Sequence, residues 1–253
     1  MSKSYFISGG NRGIGFALVK MLSSDASNTV VAGVRNVEGA TELQEWANSH
    51  TNVKIVSLDV SVAESHEEAA KETARILPDG LDVLIANAGI GKASEPILDI
   101  SDDSYYEHFT VNTLGPIRLL RAFKSLLDKK STKHFAVVSS VAGSLVRNID
   151  FPISTSSYGL SKAGINFAII NLNRELGPQG YKVVAIHPGL VSSDMGIKGI
   201  NNKNFKGLIK DIVEKFPPIT PEESAEDIKK NILEKLPELA GKFISHDGSE
   251  VPW

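Results

Sequence analysis

The sequence predicts an α/β protein built on a doubly wound parallel sheet, and three observations point to this fold class. Short apolar runs alternate along the chain with longer amphipathic runs. Two of the short runs, 81–86 and 181–186, are apolar enough to be buried on both faces, as parallel strands are. A glycine-rich turn joins the first apolar run to the first amphipathic run. Such alternation gives right-handed crossovers, with helices on both faces of the sheet.

Individual elements follow from the same periodicities. About seven strands are predicted, at 4–8, 28–34, 53–58, 81–86, 133–139, 181–187 and 242–246. Helices are predicted near 12–23, 38–48, 62–76, 102–128, 156–176, 206–215 and 222–235. The last helix has a well-defined start, because Thr220-Pro221-Glu222-Glu223 is a capping box with proline at the first helical position. No repeat or linker interrupts the pattern, so residues 1–253 are predicted to form a single domain.

The turn after the first predicted strand has the form of a diphosphate-binding site. Gly9, Gly13 and Gly15 give the spacing G-x-x-x-G-x-G, and an amphipathic run follows at 16–22. Backbone N–H groups and the positive end of a helix dipole face a phosphate at such a position. Glycine is needed where a side chain would hold the phosphate away. A plain connection would also accept glycines, so the spacing alone leaves both interpretations open.

Tyr158 and Lys162 place a phenol and an ammonium four residues apart in a predicted helix, and therefore on one helical face. A free tyrosine, with a pKa of about 10, exchanges protons poorly at neutral pH. A neighbouring cation lowers that pKa, but a shift of about three units, or about 4 kcal/mol, exceeds what one lysine supplies. A second positive charge, such as an oxidised nicotinamide ring, is then needed. A solvated tyrosine and lysine on a helix surface would show the same spacing.

Six ordered motifs resemble the short-chain dehydrogenase/reductase family. Besides the glycine turn and Tyr158-x-x-x-Lys162, they are Leu58-Asp59-Val60, Asn87-Ala88-Gly89, VSSVAG at 138–143 and PGLVSSDM at 188–195. They span nearly the whole chain, and their order is far more specific than any one motif. The resemblance implies a Rossmann-type sheet and an oxidoreductase. The closing segment 247–253 is similar to the tail of sniffer-like carbonyl reductases.

The resemblance also implies roles for individual residues. The family's catalytic set matches Asn112, Ser140, Tyr158 and Lys162. Asn112 is expected to hold a water near Lys162, and Lys162 to hold the ribose hydroxyls. The matching cofactor-binding positions are Gly9, Asn11, Gly13, Ile14, Gly15, Asp59, Val60, Asn87, Ala88, Gly89, Tyr158, Lys162, Pro188, Gly189, Val191 and Ser193. Asp59 is expected at the adenine, and Ser193, in place of a more usual threonine, at the nicotinamide carboxamide.

Two adjacent serines, Ser139 and Ser140, could supply the catalytic hydroxyl. Side chains alternate along a strand, so only one of the two can face the tyrosine. The family pattern selects Ser140, which would hydrogen-bond the substrate oxygen.

The cofactor choice can be predicted from the end of the second strand. About twenty residues beyond Gly15, where an NAD-specific site carries Asp or Glu, the sequence has Arg35. Arg12, inside the glycine turn, is a second cation that could reach the same place. Guanidinium binds phosphate in a fork, so two arginines and no carboxylate favour the 2′-phosphate of NADP(H). Two solvated surface arginines are the alternative interpretation.

Composition excludes several other classes. The chain is 42% hydrophobic and 23% charged, which suits a globular protein with an ample core. The net charge of −3 argues against a nucleic-acid partner. The absence of cysteine excludes disulfides and thiolate metal sites, and the six histidines show no paired ligand spacing, so no metal site is expected. His187 is interpreted as structural. The sequence shows no signal peptide and no apolar run long enough for a membrane span, so a cytoplasmic enzyme is expected.

The leading prediction is an NADPH-dependent carbonyl reductase in which Tyr158 protonates the oxygen of an aldehyde or ketone. An NADP-dependent alcohol or hydroxysteroid dehydrogenase and a non-catalytic NADP-sensing module are the alternatives. A homodimer or homotetramer is expected from the apolar content of the helices at 102–128 and 156–176, namely Leu114, Ile117, Leu119, Leu120, Phe123, Ile165, Phe167, Ile169 and Ile170. The glycines and apolar residues of segment 194–217 predict a substrate lid, with a fixed helix as the alternative.

Overall fold

Seven parallel strands form one sheet at the centre of the protein. The computed structural model describes residues 2–91, 96–149, 154–193, 195, 213–214 and 217–253. The strands are β1 Ser4–Ser8, β2 Thr29–Val34, β3 Val53–Ser57, β4 Val83–Ala86, β5 His134–Val138, β6 Lys182–His187 and β7 Phe243–Ser245. Their order is β3-β2-β1-β4-β5-β6-β7, and all neighbouring pairs are parallel. The predicted fold class is therefore confirmed.

Helices flank the sheet on both faces. They are α1 Gly13–Ser23, α2 Thr41–Ser49, α3 Ala63–Ile76, α4 Asp102–Phe109, α5 Gly115–Asp128, α6 Leu145–Asn148, α7 Ser156–Leu176, α8 Pro221–Ile228 and α9 Leu236–Leu239. The predicted capping box is present at α8, where Glu223 N donates to Thr220 Oγ1 at 3.1 Å and Thr220 N donates to Glu223 Oε2 at 2.7 Å. Within the described residues, none of the helices has the length and apolar character that a membrane span requires.

Each face of the sheet buries its own apolar core. Phe6 of β1 lies in the core that includes residues of α3, α5 and α7, where Phe123 and Phe135 are also fully buried. Ile7, the next residue, lies in the core that includes residues of α1, α2 and α8, where Leu18 is fully buried. Successive side chains of a strand point to opposite faces. A strand buried on both sides therefore has to be apolar at consecutive positions, which is the pattern in the sequence.

Two predicted helices are interrupted. A π-helical turn at Thr110–Leu114 divides the predicted helix 102–128, and a second one at Lys229–Leu233 follows α8 within the predicted helix 222–235. A π-turn holds one residue more per hydrogen-bonded turn than an α-helix, so hydrophobic periodicity does not reveal it. Of the predicted helix 206–215, all but residues 213–214 lie outside the described residues. The predicted lid 194–217 lies outside them apart from 195, 213–214 and 217.

The apolar residues on which the oligomer was predicted mostly belong to the core of this chain. Leu119, Leu120, Phe123, Ile165 and Ile169 are buried against the sheet. Those five side chains therefore do not support an oligomer, because one protomer already covers them. Phe167, also named in that prediction, is exposed, and the same region exposes Tyr106, Phe109 and Leu160 as well.

The strand order determines where a ligand can bind. From β1 the chain moves outward through β2 and β3, then returns to place β4 on the other side of β1. At such a reversal the connections leave in opposite directions and open a crevice beyond the carboxyl ends of the strands. The glycine turn follows β1, Asn87 follows β4, Ser139 and Ser140 follow β5, and Pro188 follows β6. These motifs, far apart in sequence, therefore meet at one edge of the sheet.

Candidate active site

The glycine turn leaves its main chain open to a ligand. Gly9 has φ +71°, a left-handed conformation that favours glycine. A Cβ at Gly15 would overlap the carbonyl oxygen of Gly9, so no larger residue fits there without a backbone shift. At the start of α1, Arg12 occupies the N-cap position and makes no side-chain capping hydrogen bond to the helix. Ile14 packs against the core, Asn11 is half-buried, and the Arg12 side chain is exposed. This arrangement fits a diphosphate at the helix N-terminus.

Asn87 ties the glycine turn to the end of β4. Its Nδ2 donates to Ser8 O at 3.0 Å and to Gly9 O at 3.2 Å. The backbone N–H groups of Asn87 and Ala88 donate to Ser8 Oγ at 3.0 and 3.1 Å. Gly89 follows, where an added Cβ would lie 3.1 Å from Asn112 Oδ1 and 3.7 Å from Lys162 Nζ. The Asn-Ala-Gly motif therefore connects the phosphate side of the site to its catalytic side.

Asp59, Val60 and Arg35 lie at the ends of β2 and β3. Asp59 Oδ1 accepts from Ser61 N at 2.9 Å and from Ser61 Oγ at 2.6 Å. Although partial burial acts to raise it, the pKa of Asp59 is lowered by these bonds and by the charge of Arg35. Arg35 is exposed, and Val60 packs against the core. The structure thus places a cation beside the predicted adenine position.

The Pro188–Ser193 segment is held by α8 and β7. Ser224 Oγ donates to Pro188 O at 2.7 Å, and a Cβ at Gly189 would lie 2.9 Å from the ring of His246. Val191 is buried and bridges to Ile219. Ser193 approaches the glycine turn, since a Cβ at Gly13 would lie 3.8 Å from Ser193 Cβ. The segment predicted to hold the nicotinamide therefore adjoins the segment predicted to hold the diphosphate.

His187, just before this segment, faces the loop that follows β5. The backbone N–H of Val141 donates to His187 Nδ1 at 3.4 Å. Burial lowers the pKa of His187 to about 4, and the charge of His246 acts in the same direction. No cluster of His, Asp or Glu that could hold a metal ion occurs in the part of the chain that the structure describes.

The two candidate serines face opposite ways. Ser139 is buried and its Oγ donates to Asn166 Oδ1 at 2.6 Å, on the core side of α7. The Ser140 side chain instead forms a hydrogen bond with the Tyr158 hydroxyl. Ser140 Oγ also accepts from Ala142 N at 3.2 Å, which leaves the serine proton directed to an oxygen acceptor. Of the two hydroxyls, only that of Ser140 is next to the phenol.

Tyr158 and Lys162 lie one turn apart on α7, and burial shifts the pKa of each. Burial raises the pKa of Tyr158, and the Ser140 hydrogen bond only partly opposes it. Burial lowers the pKa of Lys162 to about 8. Lys162 Nζ lies 5.9 Å from the centroid of the Tyr158 ring and donates to Val138 O at 2.9 Å. Burial therefore has a larger effect on the phenol pKa than the neighbouring lysine does. The direction differs from the expectation for a solvated tyrosine–lysine pair.

Asn112 lies in the π-turn between α4 and α5. Its Oδ1 accepts from Ile90 N at 2.9 Å, and its Nδ2 donates to Ile90 O at 2.9 Å and to Ser161 Oγ at 3.0 Å. Both amide hydrogens are thus used within the protein. A water bound to this side chain could only donate to Oδ1. Asn112 alone would then not hold the expected water near Lys162, and a further group would be needed. π-turns are frequent at functional sites.

Gly91 belongs to the site but was not singled out from the sequence, and Met195 was named only as part of the motif at 188–195 and of the predicted lid. A Cβ at Gly91 would lie 3.2 Å from Met195 Cγ and 3.5 Å from Tyr158 Cε2. Gly91 thus allows the main chain to pass close to both Met195 and the phenol ring. Its position two residues after the Asn-Ala-Gly motif is the sequence signal that could have placed Gly91 in the site. Met195 closes the motif at 188–195, but nothing in its spacing indicates a contact with residue 91.

A glycine turn, a tyrosine–lysine pair one helical turn apart and a serine hydroxyl at one edge of a parallel sheet define an oxidoreductase that uses a dinucleotide cofactor. Comparison with known families agrees, since the family model described as short chain dehydrogenase matches residues 3–204. The chain belongs to the short-chain dehydrogenase/reductase family, and it is an NAD(P)-dependent oxidoreductase.

Relatives and solved structures resemble the whole chain. An uncharacterised oxidoreductase of Schizosaccharomyces pombe is 41% identical over 253 residues, covering 100% of this chain and 98% of the relative. The NADPH-bound carbonyl reductase from chicken fatty liver is 29% identical with a TM-score of 0.87, covering 100% of this chain and 99% of that one. The carbonyl reductase Sniffer of Drosophila melanogaster is 28% identical with a TM-score of 0.87, and both chains are fully covered. The predicted similarity to sniffer-like carbonyl reductases is confirmed.

Proposed function

We propose that the protein is an NADPH-dependent carbonyl reductase that reduces an aldehyde or ketone to an alcohol. The observation that carries the proposal is that the Ser140 side chain interacts with the Tyr158 hydroxyl, whereas Ser139 bonds Asn166 on the core side. A carbonyl oxygen placed beside the two hydroxyls would accept from both. When bound, NADPH supplies the hydride that the carbonyl carbon takes up.

The protonation state of Tyr158 favours reduction over oxidation. Because burial raises its pKa above the usual value of about 10, the phenol carries its proton at neutral pH. A protonated phenol can act as the general acid that protonates the oxygen as the alcohol forms. Oxidation of an alcohol needs the phenolate instead, which burial disfavours. An alcohol or hydroxysteroid dehydrogenase is therefore the second candidate.

Ser140 and Lys162 support the transfer in different ways. The Ser140 proton is directed away from Ala142 N, so it can polarise the carbonyl oxygen. Lys162, with a pKa of about 8, is mostly protonated at pH 7 and would hold the ribose hydroxyls of the cofactor. With Asn112 these residues form a complete catalytic set. A non-catalytic sensing module should show a broken set, so this alternative is disfavoured.

Apolar side chains follow the carboxyl ends of β4, β5 and β6, the strand ends that also carry Asn87, Ser140 and Pro188. Exposed residues of this kind are Ile97 and Leu98 after β4, Leu145, Val146 and Ile149 after β5, and Met195 after β6. Exposed apolar groups around a polar centre are typical of sites that bind an apolar ligand by a few hydrogen bonds. We therefore expect a carbonyl substrate with an apolar body. The predicted lid at 194–217 would close over it and exclude water.

A substrate panel tests the proposed reaction. Purified protein is expected to oxidise NADPH with aldehydes, diketones or quinones and to reduce NADP slowly with the corresponding alcohols at pH 7. The matched control is Tyr158→Phe, which keeps the ring and should be inactive with every compound. Faster oxidation of alcohols than reduction of carbonyls would favour the dehydrogenase. NADPH binding without turnover in either direction would favour the sensing module.

The preference for NADPH rests on Arg35 and Arg12. Arg35 is exposed at the end of β2, where the 2′-phosphate is expected, and Asp59 is its acidic neighbour. Arg35→Asp should lower the NADPH/NADH ratio of kcat/KM by at least about tenfold, because a carboxylate repels the 2′-phosphate. Arg35→Gln, which removes only the charge, should have a smaller effect in the same direction. Equal kcat/KM values for both cofactors in the unmodified enzyme would contradict the preference.

Two further expectations stay part of this proposal. A homodimer or homotetramer is supported by exposed apolar side chains of α4 and α7, namely Phe167, which was named from the sequence, and Tyr106, Phe109 and Leu160, which were not. The cytoplasm stays the predicted location.

A further inference from the structure

Two polar contacts join the helix that carries Tyr158 and Lys162 to the segment that carries Asn112. In one, Asn112 Nδ2 donates to Ser161 Oγ at 3.0 Å. In the other, the Ser157 hydroxyl lies 3.3 Å from His108 Nδ1. We call these the Asn112 contact and the His108 contact.

The two contacts have matching positions in the chain. Ser157 immediately precedes Tyr158, and Ser161 immediately precedes Lys162. His108 likewise lies four residues before Asn112. Residues four apart lie close to one face of a helix. Tyr158 and Lys162 therefore each follow a serine that contacts the segment formed by α4 and the π-turn.

The His108 contact is fully buried and has a defined direction. His108 is 0% and Ser157 is 1% exposed. His108 Nδ1 lies 2.7 Å from Ser104 O, and since a carbonyl only accepts, Nδ1 carries the proton. Ser104 Oγ lies 3.2 Å from Ser157 Oγ, which adds a second bond between α4 and α7. Three polar side chains thus form one bonded cluster across the two helices.

His108 also contacts the catalytic ring itself. Its ring centroid is 6.5 Å from that of Tyr158, and the two ring planes meet at 76°. This is the edge-to-face arrangement that aromatic pairs prefer. Ser140 bonds the hydroxyl of the same tyrosine. Tyr158 is therefore contacted by His108 at its ring and by Ser140 at its oxygen.

We propose that His108, together with Ser157, is a positioning residue that fixes the orientation of the Tyr158 ring so that its hydroxyl meets Ser140 and the substrate oxygen. The inference rests on the proposed role of Tyr158 as general acid. His108 touches no reacting atom, so it acts through Tyr158. A displacement of the phenol oxygen by about 1 Å is enough to lower turnover substantially.

The chain offers a matched control in His66. It is also buried in a helix, and its Nδ1 lies 2.9 Å from Val62 O, four residues earlier. Its helix, α3, packs mainly against α5 and β3. A purely structural histidine and the proposed positioning residue can thus be compared in one protein.

The kinetic test compares His108→Leu with His66→Leu. His108→Leu should lower kcat at least about tenfold while the Kd for NADPH stays within about twofold. His66→Leu should change the melting temperature but leave kcat unchanged. His108→Phe keeps an aromatic ring at the edge of Tyr158 and should retain more activity than His108→Leu. Equal kcat values for folded His108→Leu and His66→Leu would overturn the proposal.

Ser157→Ala keeps the test decisive if His108→Leu does not fold. It removes one hydroxyl from the cluster, and it should lower kcat about threefold or more at unchanged Kd for NADPH. A folded Ser157→Ala protein with normal kcat would then overturn the inference.

A spectroscopic measurement separates this inference from the proposed reaction. The ¹³Cζ NMR signal of Tyr158 can be assigned by its loss in Tyr158→Phe. It should shift in His108→Leu and stay in place in His66→Leu, whether or not any carbonyl is reduced. If the unmodified protein reduces no carbonyl, the proposed function fails, and the NMR signal alone decides about His108. An unmoved signal in His108→Leu overturns the positioning role.

Discussion

Polar groups are buried at both ends of the parallel strands, the amino edge and the carboxyl edge of the sheet, but their roles at the two ends differ. At the amino edge, Asp82 sits before β4 beside Ser4 of β1. At the carboxyl edge, Tyr158 and Lys162 lie near the ends of β4 and β5. The pKa values of Asp82 and of the Tyr158–Lys162 pair are all shifted, and the direction of the shift distinguishes these two groups.

At the amino edge, donors surround the charge. Asp82 Oδ2 accepts from Ser4 N at 3.0 Å and from Ser4 Oγ at 2.8 Å, and Oδ1 accepts from Thr132 Oγ1 at 2.8 Å. Burial acts to raise the pKa of Asp82, but these bonds and the charge of Lys130 lower it overall. The charged form of Asp82 is therefore stabilised by donors within the protein.

At the carboxyl edge, burial disfavours the charged forms. The pKa of Tyr158 is raised and that of Lys162 is lowered to about 8, and desolvation is the main cause of both shifts. The phenol is therefore held in its protonated form, which a reductase needs, and the lysine ammonium lies closer to losing its proton. A buried polar cluster therefore indicates a catalytic role when burial destabilises its charged forms. It indicates a structural role when hydrogen-bond donors stabilise the charge.

The largest expected contrast is between Tyr158→Phe and Asp82→Ala. Tyr158→Phe should lower kcat by at least about 10²-fold, the usual loss for a general acid, with normal NADPH binding and little change in unfolding free energy. Asp82→Ala should leave kcat nearly unchanged but lower the unfolding free energy by about 2–4 kcal/mol, because several donors lose their acceptor. Steady-state kinetics and urea unfolding measure the two effects. A stable but inactive Asp82→Ala enzyme would break the distinction between the edges.

A smaller contrast is expected between neighbouring residues of one strand end. Ser140→Ala should lower kcat by about 10²-fold, since it removes a donor to the reacting oxygen. Ser139→Ala should leave catalysis nearly intact and cost about 1–3 kcal/mol of unfolding free energy, because Asn166 Oδ1 loses its buried donor. If Ser139→Ala were the inactive variant, the assignment of strand faces would be wrong.

The smallest expected effect is on the pH dependence of cofactor binding. Because the pKa of Lys162 is lowered to about 8, its charge is present below that pH and is lost as the pH rises through it. The Kd for NADPH should therefore increase about threefold between pH 7 and 9, as a charged hydrogen-bond donor becomes neutral. Lys162→Met should bind more weakly and show no such rise, and fluorescence titration measures both. A Kd that stays constant in the unmodified protein up to pH 9 would contradict the lowered pKa.

Much of the fold follows from the sequence because its signals are local. All seven strands lie within one or two residues of their predicted bounds, and α7 matches its predicted bounds. The glycine turn and the capping box of α8 were also predicted, since each is formed by residues close together in the chain. The π-turn at Thr110–Leu114 was not predicted. Asn112 within it is bonded to Ile90 and Ser161, which lie far away in sequence.

The candidate site divides in the same way. Strand alternation and the family pattern were enough to predict Ser140 as the serine that faces Tyr158. The contact of Gly91 with Met195 and the cluster of His108 with Ser157 join separate segments, and no spacing rule indicates them. The core residues of α5 and α7 were assigned to an interface for a related reason, because apolar periodicity shows that a face is buried but not which element covers it.

By itself, the sequence determined the parallel α/β class, the glycine turn between β1 and α1 and the residues able to carry acid chemistry. Hydrophobic period, glycine spacing and side-chain type are properties of a few neighbouring residues, so they are present in the unfolded chain. Only the tertiary structure decided the protonation of Tyr158 and Lys162. Isolated on a helix, the lysine would lower the phenol pKa, but burial in the folded protein reverses the direction. Desolvation depends on everything packed around a group, and that packing exists only once the chain has folded.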